Sequence, residues 1–124
     1  MGCGYWGKNL CRNFHGLNAL NQVIDATESG QAQARIIASG IKVSLHIEDA
    51  LNDPQIHAVA LATPAETHAE LAIQAMKAGK DVFVEKPMAL TLEDSEQMKV
   101  VADQTKSILM IGHLLEYHPA VLKL

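Results

Sequence analysis

Apolar residues fall in short blocks separated by longer amphipathic stretches. Residues 57–62, His-Ala-Val-Ala-Leu-Ala, are almost wholly apolar. Unbroken rather than alternating apolarity is the pattern of a strand in a parallel sheet covered on both faces. Residues 81–84 and 108–111 repeat it, and residues 21–25 and 41–43 are shorter versions. Between these blocks the spacing is helical. Leu10, Cys11 and Phe14 share a face closed by Gly16, and residues 29–39 carry Ala32, Ile36 and Ile37 before Gly40. Residues 66–78 carry Leu71, Ile73 and Met76 before Gly79. Thr91 and Asp94 open a further helix through about Gln104 with a near capping box, and Ser44 is a candidate cap for a small helix over residues 48–51. Strands alternating with helices at this spacing predict an α/β fold: a parallel sheet with helices on both faces.

The chain opens on Met1-Gly2-Cys3-Gly4-Tyr5-Trp6-Gly7, a G-x-G-x-x-G pattern. In a dinucleotide site the first glycine permits a tight turn, the second lets a pyrophosphate approach the backbone, and the third lets a helix pack close to a strand. The helix that follows aims free N–H groups at the phosphates. The acid expected about 20 residues later is Asp25, after Val23-Ile24. A carboxylate there can accept the ribose hydroxyls of adenosine and repels a 2′-phosphate, which selects NAD over NADP. The plainer reading is an exposed turn aspartate. Together these signals predict a Rossmann-type doubly wound sheet. The strand that normally precedes the glycines does not stand before Gly2, and in the expected order 3-2-1-4-5-6 that strand is the central one. A gap is therefore expected beside strand 57–62. Its open edges invite association, so the chain alone is not expected to be a stable, active monomer.

Composition narrows the reading. The 124 residues suit a single domain, and 48% are hydrophobic, enough for a core. The net charge of −4 argues against nucleic-acid binding. There is no apolar run of membrane-spanning length and no secretion-signal pattern. Two nearby cysteines, Cys3 and Cys11, read as reduced thiols of a cytoplasmic protein. The six histidines are scattered and suggest no metal site.

Ligands of an open parallel sheet bind beyond the carboxyl ends of its strands. The chemistry-bearing residues gather there: Asp25; Thr63 and Pro64, with His68 one turn later; Glu85, Lys86 and Pro87; then His113, Tyr117 and His118. Lys86 is the candidate catalyst. Beside a positively charged nicotinamide its proton affinity falls. It can then take the proton of a substrate hydroxyl as the carbon gives up a hydride. Set against this is a surface lysine paired with Glu85. His68 is a candidate cofactor contact, against a solvated histidine at a helix start. Lys86-Pro87 is a candidate cis bond.

Gly2 to Gly7, Ala62-Thr63-Pro64 with His68, Ala78-Gly79-Lys80 and Glu85-Lys86-Pro87 occur in that order. In this the chain resembles the N-terminal half of the glucose–fructose oxidoreductase / inositol dehydrogenase family over nearly its whole length. Residues 112–120 look most like the bacterial UDP-N-acetyl-sugar 3-dehydrogenases, although Leu115 and Glu116 stand where many members have arginines. The resemblance implies an NAD(P)-binding domain over residues 1–113 and the start of a substrate domain at residues 114–124. It implies hydride transfer at a hydroxyl of a sugar or UDP-sugar, with Lys86 as catalyst. Gly2, Gly4, Tyr5, Trp6, Gly7, Asp25, Thr63, Pro64, His68, Glu85 and Lys86 are the expected cofactor contacts. Lys86, His113, Tyr117 and His118 are the expected substrate contacts. The full-length enzyme is expected to be a homo-oligomer, with no nucleic-acid or membrane partner. A non-catalytic nucleotide-binding module is the competing reading. A methyltransferase ranks last, because Glu85-Lys86-Pro87 has no role there.

Overall fold

The computed structural model describes residues 1–123, with side chains for all of these except Leu115 and Tyr117. Five strands alternate with five helices: α1 (Gly7–Gly16), β1 (Gln22–Ile24), α2 (Glu28–Ile37), β2 (Lys42–Ser44), α3 (Glu48–Leu51), β3 (Ala58–Leu61), α4 (His68–Lys77), β4 (Asp81–Val84), α5 (Leu92–Thr105) and β5 (Leu109–Ile111). Short 3-10 turns cover Ala65–Thr67 and Leu114–Tyr117. Every pairing is parallel: β1 with β2, β3 with β4, and β4 with β5. The elements match the expected spans to within one to three residues.

Local chemistry explains most boundaries. Thr27 caps α2 by accepting the Gly30 N–H at 3.1 Å, and Thr91 caps α5 by accepting the Asp94 N–H at 3.0 Å. Gly79 ends α4 directly after its C-cap at φ +76°, whereas α2 is capped by Ala38 and Gly40, at φ +82°, sits in the turn that follows; both are angles where a side chain is strained. Ser44 does not cap α3. Its hydroxyl is held by the Asp49 carboxylate and the His46 N–H, and Ile47 stands at the cap position without a side-chain bond.

Two buried clusters flank β1. Val23 joins Cys3, Cys11 and Ala34 on one side, and Ile24 joins Leu61, Met76, Val84 and Met98 on the other. Helices therefore cover both faces of β1, as expected of a doubly wound sheet. On β3 this is only half realised. Val59 and Leu61 are buried, but Ala58 is exposed and Ala60 partly so.

The reason is a break in the sheet. β1-β2 and β3-β4-β5 form two separate parallel sheets rather than one. Among the described residues, Met1 and Gly2 stand between them: the Met1 amine donates to the Ala60 carbonyl and the Met1 carbonyl accepts the Ala62 N–H at 2.8 Å, while the Gly2 N–H donates to the Ile24 carbonyl at 2.8 Å. A cleft of about 340 Å³ lies where a central strand belongs, lined by Gln22, Ile24, Ala58 and Ala60. The buried Gln22 carboxamide finds no partner there. The gap anticipated beside β3 is thus present among the described residues.

A buried lysine ties the second sheet together. Lys80 Nζ donates to the Asp53 and Ile56 carbonyls, each at 2.8 Å. These bonds satisfy a charge that is 7% exposed and anchor the turn before β3 to the start of β4.

Candidate functional site

A cavity of about 660 Å³ opens at the carboxyl ends of β3, β4 and β5. Its walls are Tyr5 and Trp6 from the glycine turn, Thr63, Ala65 and His68 after β3, Glu85 and Lys86 after β4, and Gly112, His113, Leu114 and Glu116 after β5. Segments far apart in sequence converge because parallel strands all deliver their ends to one edge.

The glycine turn is shaped by close packing. Gly2 has φ +80°, and a Cβ on it would lie 2.6 Å from the Ala62 carbonyl oxygen. A Cβ on Gly7 would lie 2.0 Å from the Gly2 carbonyl oxygen. Around Gly4 nothing stands within 4 Å of that position, so the backbone there is open to a ligand. The turn leads into α1, whose first turn holds no acidic residue and whose N-cap makes no side-chain bond. A closed turn, an open second glycine and a bare helix start fit a pyrophosphate.

Asp25 departs from the sequence expectation. Its carboxylate points into the protein and is 9% exposed. Oδ2 accepts the Cys3 N–H at 2.6 Å, while Oδ1 accepts the Thr27 N–H at 2.8 Å and the Thr27 hydroxyl at 2.7 Å. It lies over Gly30, where a Cβ would fall 2.1 Å from its Cγ. Asp25 therefore latches the glycine turn to the start of α2 and is not free to take two ribose hydroxyls. Three of its roughly four acceptor positions are used.

Burial pushes the Asp25 carboxyl up, but the Cys3 N–H, the Thr27 hydroxyl and N–H, and the Met1 amine together hold it below its ordinary value. A lowered folded-state value contributes stability that is complete above the unfolded value and lost as pH falls through the folded one. The melting temperature should therefore drop below about pH 4, the ordinary aspartate region, and Asp25→Ala should flatten this acid limb. An equally steep limb in the variant contradicts the latch. Cys3 sits beside it, its thiol pushed by burial and by its hydrogen bond with Cys11 up to about 12. It stays protonated and unreactive.

Glu85 and Lys86 part company after β4. Glu85 is 7% exposed, and its Oε1 has no partner among the described residues. Its Oε2 lies over Gly112, 3.1 Å from where a Cβ would stand. Lys86 is exposed in the cavity wall. The surface pairing of the two does not form: the one ion pair within 4 Å among the described residues joins His113 to Glu116 at 3.9 Å. The Lys86-Pro87 bond is cis.

His68 also departs from expectation. It is 1% exposed rather than solvated, and Nδ1 meets the Pro87 carbonyl at 2.8 Å while Nε2 meets the Thr63 carbonyl at 2.9 Å. Both nitrogens are occupied within the protein, so the ring walls the cavity but has none left for a cofactor. Pro64 is exposed and outside the cavity wall. His118 is exposed, does not line the cavity and accepts the Ala120 N–H at 3.2 Å. The Tyr117 side chain lies outside the described residues. The sequence reading missed Gly30 and Gly112. Their signals were present: Gly30 follows the Thr27 cap by three, and Gly112 directly follows the apolar block 108–111.

Comparison with known proteins agrees with this geometry. Residues 1–113 match the model of an oxidoreductase family with an NAD-binding Rossmann fold. The chain is 31% identical over 119 residues to scyllo-inositol 2-dehydrogenase (NAD(+)) of Bacillus subtilis, covering 94% of this chain and 34% of that protein. The structure of UDP-N-acetylglucosamine 3-dehydrogenase from Acidithiobacillus ferrooxidans superposes with a TM-score of 0.89 at 26% identity, over 98% of this chain and 39% of that one. Levoglucosan dehydrogenase in complex with NADH and levoglucosan gives a TM-score of 0.80 at 31% identity, over 97% and 35%. The chain thus spans about a third of the length of the relatives it matches. With its glycine turn, parallel sheets and Glu85-Lys86-Pro87 edge, the chain belongs to the glucose–fructose oxidoreductase / inositol dehydrogenase family, as an NAD-binding Rossmann domain.

Proposed function

We propose that this domain holds NAD(H) for hydride exchange with a hydroxyl-bearing carbon of a sugar or nucleotide-sugar, and that Lys86 handles the hydroxyl proton. The observation that carries this reading is the position of Lys86, exposed in the wall of the 660 Å³ cavity beside the glycine turn. The bound nicotinamide supplies the hydride acceptor or donor. This chain's own residues do the rest. The open backbone at Gly4 and the start of α1 receive the pyrophosphate, and Tyr5 and Trp6 wall the cavity. The buried Glu85 oxygen offers an acceptor to a donor on the cofactor. Lys86 takes the hydroxyl proton, and His113 and Glu116 stand at the rim where a substrate enters. Residues 1–113 form the cofactor domain, and residues 114–124 begin the substrate domain, whose sugar contacts and oligomeric assembly complete the enzyme. The two buried thiols fit a cytoplasmic setting. No helix among the described residues is long and apolar enough to cross a membrane.

NAD preference over NADP rests on the Asp25 charge. Because Asp25 also latches the glycine turn, Asp25→Ala should weaken both cofactors and narrow the gap between them. Calorimetric titration of both cofactors against both proteins checks this. Equal NAD and NADP affinity in the unmutated protein overturns the assignment. A sugar-dependent rise in NADH absorbance, when the domain is joined to a substrate domain, separates the enzyme from a non-catalytic nucleotide-binding module.

A further inference from the structure

The His68 imidazole faces carbonyl oxygens at both ends, Pro87 at 2.8 Å and Thr63 at 2.9 Å. These are hydrogen-bond distances for an N–H donor. Whichever nitrogen carries the proton, the ring fills the space between the two carbonyls and donates to one of them. Neither carbonyl has a backbone donor among the described residues. The two belong to the segments that leave β3 and β4, and Pro87 directly follows Lys86.

We propose that His68 is a positioning residue, its ring wedged between the two carbonyls so that it struts Thr63 against Pro87 and sets the backbone on which Lys86 stands. Glu85, 7% exposed, walls the same cavity and carries an oxygen with no partner among the described residues. The other ionisable groups of that wall are Tyr5, Lys86, His113 and Glu116, and Glu66 and Glu70 flank His68 as exposed residues on its own segment. This role rests on the reading of Lys86 as the proton-handling group.

The direct test is the ring itself. In ¹⁵N-histidine-labelled protein the His68 ring should stay in a single tautomer with its N–H protected from exchange with solvent; a ring that exchanges freely between tautomers overturns the strut. Kinetics supply the second arm, in an enzyme joining this domain to a substrate domain. His68→Leu removes the ring donor and should lower kcat by about 10²-fold, the cost of misplacing a reacting group by roughly 1 Å. NAD affinity should stay nearly unchanged. His68→Gln keeps an N–H donor for one of the two carbonyls and should restore part of kcat. Loss of NAD affinity in step with kcat makes His68 a cofactor contact and overturns the proposal, as does failure of the glutamine to rescue. Lys86→Met tells the two readings apart: normal turnover there removes the catalytic assignment, and with it the positioning role, even if the His68 ring proves fixed.

Discussion

Replacing Lys86 by methionine lowers turnover by about 10²–10⁴-fold, the range for loss of a general acid–base, and leaves NAD affinity nearly unchanged. Methionine keeps much of the apolar length of lysine without the amine, so the cavity wall is preserved while the proton acceptor is removed. The fold change is expected to be insensitive to folding, because Lys86 is exposed and makes no hydrogen bond or ion pair among the described residues. A drop confined to kcat places the amine in the transition state rather than in binding. The check is steady-state kinetics with a sugar substrate, in the enzyme that joins this domain to a substrate domain, together with titration of NAD. Turnover within a few-fold of normal returns Lys86 to an ordinary surface lysine.

Gly7→Ala should be the most damaging single methyl group in the chain. Its Cβ would stand 2.0 Å from the Gly2 carbonyl oxygen and 3.3 Å from the Ala62 Cβ. The first contact is with backbone, so no side chain can swing aside. Either α1 moves away from β3 or the turn at Gly2 opens, and Gly2 has no slack, since it already sits at φ +80° against the Ala62 carbonyl. Overpacking of this kind costs about 1–3 kcal/mol and occasionally more. The larger effect is on binding, because the start of α1 and the open backbone at Gly4 no longer converge on one phosphate position. NAD affinity should fall by at least about 10²-fold, as for a misplaced binding group. Gly4→Ala is the control: it meets nothing within 4 Å in the protein, so it should leave the melting temperature unchanged and weaken only NAD binding. Calorimetry and thermal unfolding of the two variants separate the effects. A Gly7→Ala protein that binds NAD normally contradicts the packing account of the turn.

Much of the site was legible before any coordinates. Glu85-Lys86-Pro87 stood out because charged residues directly after a buried apolar block mark the carboxyl end of a parallel strand. Asp25 stood out by its distance from the glycines. What was not legible is which way these side chains turn. Asp25 was read as facing a ribose, yet it faces the Cys3 N–H and Thr27, because the glycine turn brings an unpaired donor to 2.6 Å from its carboxylate. His68 was read as a helix-start residue in contact with solvent or cofactor. It is buried because the Pro87 carbonyl, 19 residues on, arrives on its other side. Lys80 stood out only as part of the Ala78-Gly79-Lys80 motif, with nothing local to mark it as buried, because its two carbonyl partners lie 27 and 24 residues earlier.

The type and order of the elements followed from the sequence alone, since apolar periodicity, caps and glycine breaks act over a few residues. Tertiary structure alone decided how the two sheets meet at the glycine turn: Met1 bridges Ala60 and Ala62, and Gly2 reaches Ile24. It also decided the partners of His68 and Lys80. Buried donors and acceptors are mostly paired, and these pair with distant segments that the fold brings within hydrogen-bond reach, which no local pattern encodes.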